Sequence, residues 1–284
     1  RMFEPCYLEP FNPDVKLSFK DGNFDSLTKN ERDEIYQLCS DYEIIFAKNK
    51  LETGNPDFTV NFEIDRSQPL VREKRRFLNE SKLNFASKAL NEMLESGILA
   101  ECYDSQLCAN LVLVPKSLGR TRSEIYQNKL DRVEDNNYRL AIDYKYLNTK
   151  LLDQTPPSFS FITEIISKLS GKLVTCLDFI NAFYHIKLDP SCQKYTAFYF
   201  KNRILYFQRL PQGLSKSPSF FSAFVKTVFS KKSFEKALIH FPKYRELLKK
   251  HNISDYADFL ETYFDDIFIY NEITDDRQEN FRLH

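Results

Sequence analysis

Tyr263-Phe264-Asp265-Asp266-Ile267-Phe268-Ile269-Tyr270 sets two adjacent carboxylates inside what is otherwise an apolar strand run. A buried carboxylate costs several kcal/mol unless it is paired or bound to a metal, and two side by side also repel. No Lys or Arg lies nearby in the sequence to neutralise them. A divalent cation removes both penalties at once, and a hard ion such as Mg²⁺ prefers oxygen ligands. Successive residues on a regular strand point to opposite faces, so both acids reach metal only if the backbone turns. A tight hairpin at Asp265-Asp266 is therefore predicted. A solvated Asp-Asp turn is the plainer reading of such a pair in isolation, but Asp178 changes the balance. It ends Leu173-Val174-Thr175-Cys176-Leu177, a buried-strand pattern, and supplies a third carboxylate. Three acids suffice to hold two metal ions for in-line phosphoryl displacement.

The rest of the chain reads as helices alternating with short strands. Thr28 and Glu31 have capping-box spacing ahead of a helical stripe of Leu27, Ile35, Leu38, Tyr42, Ile45 and Phe46. A polar linker from Lys48 to Pro56 follows, which makes residues 1–56 a helical extension and 57–284 the main body. Leu83, Ala86, Leu90, Met93 and Leu94 share a second helical face, with Ser81 as cap and Gly97 as terminator. Leu111-Val112-Leu113-Val114, stopped by Pro115, and Tyr138 to Tyr144 read as strands of a hairpin enlarged by the polar loop Ser117 to Asn137. Tyr195 to Phe200 and Arg203 to Phe207 flank a Lys201-Asn202 turn in which Asn tolerates left-handed backbone. Ser217-Pro218 reads as a cap and first-turn proline, ahead of a helix that buries Phe221, Phe224, Val225 and Val228 behind the sheet. Residues 230–256 form an insert with a helix around Tyr244 to Lys250. This order predicts an α+β fold with an antiparallel sheet backed by helices on one face.

Composition narrows the class. A hydrophobic fraction of 42% with 15% aromatics over 284 residues is enough for a real core. Lys+Arg equals Asp+Glu at 40 each, so no overall basic excess announces a nucleic-acid partner. Two local clusters are basic: Arg72, Lys74, Arg75 and Arg76, then Lys231, Lys232, Lys236, Lys249 and Lys250. The six cysteines lack CxxC spacing and the four histidines are scattered, which points to reduced thiols in an intracellular protein without a zinc site. No signal peptide or membrane-length apolar run is present, so a soluble protein with no membrane partner is expected. The start at Arg1 and the abrupt end suggest a segment of something longer.

At this point the motifs resemble a known family, the reverse transcriptases of retroviruses and gypsy-type LTR retrotransposons. Tyr263-Phe264-Asp265-Asp266 matches its YxDD box, and Leu177-Asp178-Phe179-Ile180-Asn181-Ala182-Phe183 matches LDxxxAF. Leu210-Pro211-Gln212-Gly213 with Ser217-Pro218 matches LPQGxxxSP, and Arg139 to Asn148 resembles the RxxxDYRxLN block of the fingers. Lys194-Tyr195-Thr196-Ala197-Phe198 is a fifth match, so the resemblance covers nearly the whole chain.

The resemblance implies polymerase fingers and palm over 57–284, with the thumb absent, and an RNA-directed DNA polymerase acting on dNTPs with an RNA or DNA template and primer. Asp178 and Asp265 would bridge two Mg²⁺ ions, with Mn²⁺ as a substitute and Asp266 as a supporting ligand. Phe183 falls on the steric gate that disfavours a ribose 2′-hydroxyl. Gln212 would contact the nucleotide and template region, Gly213 would permit close backbone approach, and Lys116 and Arg139 would hold the triphosphate. The loop after Lys116 is longer than the family's, which makes Lys129 a competing candidate. The 230–256 insert is also longer. Thumb, RNase H and integrase regions are expected in a parent polyprotein, in a cytoplasmic retroelement particle with access to the nucleus. An RNA-dependent RNA polymerase, or a domesticated fragment acting as a binding module, are the alternatives.

Overall fold

The computed structural model describes residues 27–42, 46–49, 51–115, 138–152, 161–276, 281 and 284. Its main helices are α1 (Lys29–Asp41), α2 (Glu80–Glu95), α3 (Lys145–Lys150), α4 (Ile162–Leu169), α5 (Ser217–Val228), α6 (Lys231–His240) and α7 (Arg245–Lys250). Its strands are β1 (Thr59–Val60), β2 (Leu99–Cys102), β3 (Ala109–Pro115), β4 (Tyr138–Ile142), β5 (Lys172–Asp178), β6 (Lys187–Leu188), β7 (Phe198–Phe200), β8 (Arg203–Phe207), β9 (Leu260–Tyr263) and β10 (Asp266–Glu272). The described residues of 49–155 and 183–217 gather into one compact unit, and those of 17–48, 156–182 and 218–284 into a second. No helix among the described residues is long and apolar enough to cross a membrane.

The first unit is built on a five-stranded sheet ordered β2-β8-β7-β3-β4. Four strand pairings make it, and one of them, β3 with β7, is parallel, so this sheet is mixed rather than antiparallel throughout. The two strands of the parallel pair come from separate stretches of chain, so no hairpin forces them antiparallel. β3 and β4 do pair as a hairpin, from Leu111↔Ile142 to Pro115↔Tyr138. The loop expected between them lies outside the described residues. α2 buries Ala86, Leu90 and Met93 and ends at Gly97, whose φ of +70° needs no Cβ penalty. Its cap is Asn79 rather than Ser81, because the Asn79 side chain accepts from the Lys82 amide at 3.0 Å and Ser81 is already helical. The β7–β8 turn also differs from expectation: Lys201, not Asn202, takes the left-handed conformation at φ +50°.

The second unit holds a three-stranded antiparallel sheet ordered β5-β10-β9. α4 precedes it, with Ile165 buried, and Gly171 at φ +75° reverses the chain into β5. α5 packs against this part of the unit through Phe221, whose ring meets Phe179 edge-on at 5.7 Å. Phe221, Phe224 and Val225 are buried as the helical period requires, while Val228 stands at 36% exposure at the helix end. β5 departs from its buried-strand pattern: Leu173, Val174 and Leu177 are exposed. An edge strand has a neighbour on one flank only, so its side chains meet fewer atoms than those of a central strand. The stripe on α1 is likewise unburied, although its capping box forms as the spacing predicts, with Thr28 N donating to Glu31 Oε2 at 2.7 Å and Glu31 N to Thr28 Oγ1 at 3.3 Å.

The insert has a structural cause. α6, the Pro242–Tyr244 turn and α7 hang on an aromatic cluster in which Phe234 meets Tyr256 at 5.0 Å and Phe259 at 6.2 Å, and Phe229 meets Tyr256 at 5.4 Å. These packing differences are measurable. Phe221→Ala is expected to cost about 3–5 kcal/mol, whereas Val228→Ala costs less than about 1 kcal/mol, because only the first leaves a cavity. Urea unfolding midpoints of the two variants check this, and equal losses would show the helix face to be misplaced.

Candidate active site

The hairpin that joins β9 to β10 turns at Phe264-Asp265, one residue earlier than the sequence pattern predicts, and Asp266 is already the first residue of β10. Phe264 takes φ +52°. A left-handed backbone at a bulky residue costs roughly 1–2 kcal/mol, so the surrounding contacts must hold it there. One of them is direct: the Phe179 amide donates to the Asp265 carbonyl at 2.9 Å, which pins the turn to the residue after Asp178.

The sheet register sets the carboxylates. Asp266 lies opposite Asp178 across β10 and β5, so their side chains project from the same face. Like charges directly opposite destabilise a sheet. Among the described residues no Lys or Arg forms an ion pair with Asp178, Asp265 or Asp266. Asp265 Oδ1 is buried and has no hydrogen-bond partner. Burial, then the charges of Asp178 and Asp266, push the Asp265 carboxyl up to about 6. Asp178, whose side chain reaches solvent, is raised by partial desolvation and then by Asp266. Cys176, two residues before Asp178 and therefore on the same face, is exposed, and its thiol lies 3.8 Å from Asp266 Oδ1. Among the described residues no three His, Cys, Asp or Glu side chains are already gathered as a ligand cage. The donor chemistry nevertheless fits a hard divalent cation: an orphaned carboxylate oxygen, carboxylate coupled to carboxylate, and no protein cation to balance them.

The other sequence-selected residues that the structure describes fall in the first unit. Lys116 and Lys129 lie outside the described residues. Arg139 sits in β4 opposite Val114. Phe183 is 5% exposed in the turn Ala182–His185. Gln212 Oε1 is buried without a partner, beside Gly213 at φ +91°. The loop needs glycine there for its conformation, whereas a Cβ would meet the Ile142 carbonyl oxygen at 3.4 Å, close to ordinary contact.

Sequence reading missed what holds that loop. Asn148 donates from Nδ2 to the Gly213 carbonyl at 3.0 Å and accepts from the Ser215 amide at 2.9 Å. Ser217 is the first helical residue, and its hydroxyl donates to the Pro211 carbonyl at 2.6 Å instead of capping the helix. Asp143 pairs with Arg76 at 3.0 Å, and Arg76 N donates to the buried Asn110 side chain at 2.9 Å, so part of the first basic cluster has a structural use. Asn148 and Asp143 stand in the block that carries the family resemblance, but the partners of their side chains are far off in sequence.

Residues 127–283, more than half of the chain, match the family model described as reverse transcriptase (RNA-dependent DNA polymerase). The chain belongs to the reverse transcriptase family. It is 29% identical over 75% of its length to the retrovirus-related Pol polyprotein from transposon 412 of Drosophila melanogaster. It is 27% identical over 82% of its length to the putative enzymatic polyprotein of cassava vein mosaic virus. The chain spans 16% and 31% of the lengths of these two relatives. The crystal structure of the prototype foamy virus protease–reverse transcriptase aligns over 98% of this chain and 31% of that one, with a TM-score of 0.66 and 20% identity. The foamy viral protein in complex with an RNA/DNA hybrid aligns with a TM-score of 0.64 at 19% identity, over 99% of this chain and 33% of that one. These likenesses place the fold with retroviral reverse transcriptases.

The raised carboxyl gives this reverse-transcriptase site a pH signature in metal-free solution. Folded Asp265 keeps a proton up to about 6, whereas its ordinary value is 3.8. The folded state thus binds the proton more tightly, and its contribution to stability is present below the ordinary carboxylate value and lost as pH rises through about 6. Asp265→Asn should flatten that fall in unfolding midpoints measured with chelator between pH 4 and 7 (about the window of the shift). An identical fall in the variant would remove Asp265 as its source.

Proposed function

We propose that this chain is the RNA-directed DNA polymerase region of a retroelement Pol polyprotein, joining dNTPs to a primer 3′-hydroxyl by a two-metal route. The observation that carries the proposal is Asp178 opposite Asp266 beside Asp265, whose buried oxygen has no partner. Family membership and the relatives' polyprotein names support it.

Asp178 and Asp265 would hold two Mg²⁺ ions, or Mn²⁺ in their place, with Asp266 in support. Bound there, such ions lower the pKa of an attacking hydroxyl and neutralise charge on the triphosphate. The chain's own part is positional. β5 and β10 hold two carboxylates in register on one face, and the Phe179–Asp265 hydrogen bond fixes the third beside them. Gln212, on a loop held by Asn148, would present its free amide oxygen to the nucleotide and template. Arg139 and Lys116 would bind the triphosphate, Arg139 through a two-pronged guanidinium. Phe183, five residues after Asp178, would crowd a ribose 2′-hydroxyl, and its near-complete burial keeps the ring from yielding. We read residues 57–284 as fingers and palm and 1–56 as a helical extension and linker. Primer–template, the remaining polyprotein regions, and a cytoplasmic particle with nuclear access complete the proposal.

Primer extension with dNTPs and Mg²⁺ tests the centre. Metal ligation supplies several kcal/mol of transition-state stabilisation, so Asp265→Asn or Asp178→Asn should lower the rate by at least about 100-fold, and removal of metal should abolish it. Undiminished extension by Asp265→Asn would sink the assignment. Phe183→Ala should raise ribonucleotide use relative to deoxyribonucleotide use in a single-nucleotide incorporation assay. An unchanged ratio in an active variant would return Phe183 to an ordinary core role.

A further inference from the structure

The net charge of zero conceals a strong local imbalance. Residues 230–252 contain seven Lys and Arg against only Glu235 and Glu246, an excess of five, so the remainder of the chain is net acidic by the same amount. This excess sits on the α6–α7 helix pair. Lys232, Lys236 and Lys249 are exposed and make no ion pair among the described residues. Lys232 and Lys236 stand one turn apart on α6, on one face of the helix.

The pair is anchored on the segment that leads into the strand before the Phe264-Asp265 turn. Phe234, 5% exposed, anchors α6 on Tyr256 and Phe259. Arg245 Nε donates to the Leu238 carbonyl at 3.1 Å and so joins α7 to α6. Phe259 leads directly into β9 and from there to Phe264-Asp265, all inside the second unit. A preformed basic surface loses little conformational entropy when it binds. A flexible lysine run would lose more.

We propose that the α6–α7 pair is an accessory clamp for the phosphate backbone of the nucleic-acid duplex, with Lys232, Lys236 and Lys249 each neutralising a phosphate. The proposal rests on the polymerase reading above, since that reading brings a duplex to the second unit. The apolar side chains on the same insert argue less well for a protein partner. Phe241 packs part of its ring on Tyr42 at 6.0 Å and on Tyr244 at 6.5 Å, and of the exposed Ile239, Phe241 and Tyr244 only Ile239 stands mostly in solvent. A phosphate clamp needs no apolar contact.

Each neutralised phosphate contributes about 0.9 to the slope of log K against log salt. The test is binding of an RNA–DNA hybrid with a recessed primer over a range of salt concentrations, for the full chain and for the triple variant Lys232→Gln/Lys236→Gln/Lys249→Gln. The expected result is a slope shallower by about 2–3. A second triple, Lys29→Gln/Lys88→Gln/Lys201→Gln, removes the same charge from exposed positions elsewhere and should keep the original slope. Glutamine preserves helix propensity, and circular dichroism checks that both triples are folded. Equal slopes in the wild type and the insert triple, an equal drop in both triples, or no duplex binding at all would overturn the clamp. So would loss of binding to an oligoglutamate probe with duplex binding unchanged, which would point to an acidic protein partner. Primer extension by the wild type reports separately on the polymerase reading, because Asp265→Asn should lose extension while its salt slope stays intact.

Discussion

Asp178 and Asp266 face each other across β5 and β10, a pairing of like charges that a sheet tolerates only when something else sets the register. The rest of that ladder does so. It runs without a bulge from Asp178↔Asp266 to Lys172↔Glu272, where Lys172 Nζ closes on Glu272 at 2.9 Å and lies 4.7 Å from the ring centre of the buried Tyr270. A slip of one residue would move every side chain of β5 to the other face and separate the two carboxylates. The geometry of the acidic end thus depends on packing and charge pairing at the opposite end of the strands.

Strain at Phe264 belongs to the same arrangement. A left-handed phenylalanine is unfavourable by itself, and it persists because the β9–β10 ladder, the Phe179–Asp265 hydrogen bond and the edge-on Tyr263–Phe264 ring contact at 4.8 Å over-determine the turn. What the strain achieves is directional: it lets Asp265 leave the strand alternation that would aim it away from Asp178 and Asp266. The aromatic cluster around Tyr256 extends this support to the start of β9. In a chain with 26 phenylalanines and only six glycines, ring packing rather than glycine flexibility holds the hairpin that carries Asp265 and Asp266.

The first unit solves a different problem, that of holding a loop with an unsatisfied polar group. Gln212 and Gly213 sit on a segment closed by Asn148 and by the Ser217–Pro211 hydrogen bond. Three backbone groups and one hydroxyl therefore have partners, and the unmet acceptor is Gln212 Oε1. A buried acceptor left open is costly, so its survival in an otherwise well-bonded loop is consistent with a ligand that completes it.

Much of this was legible in residue order because it depends on short-range patterns. The Thr28–Glu31 capping box, the helix from Ser217 and the hairpin at the acidic pair all follow from spacings of a few residues, and the motif blocks around Asp178, Asp265 and Gln212 identified the family. Other features had no local signature. The parallel β3–β7 pair, the exposure of Leu173 and Leu177 on an edge strand, and the use of Asn148 as a clamp 65 residues from its partner arise from which segments meet. Even the turn at the acids moved by one residue, since cross-strand register and not the Asp-Asp pair itself chooses where the ladder ends. Residue types and their spacing determined that Asp178 ends one strand and that Asp265 and Asp266 lie at a hairpin. Only the tertiary structure decided which oxygen is left without a partner and which carboxylates oppose each other, because hydrogen bonding and charge coupling act between groups that folding alone brings into range.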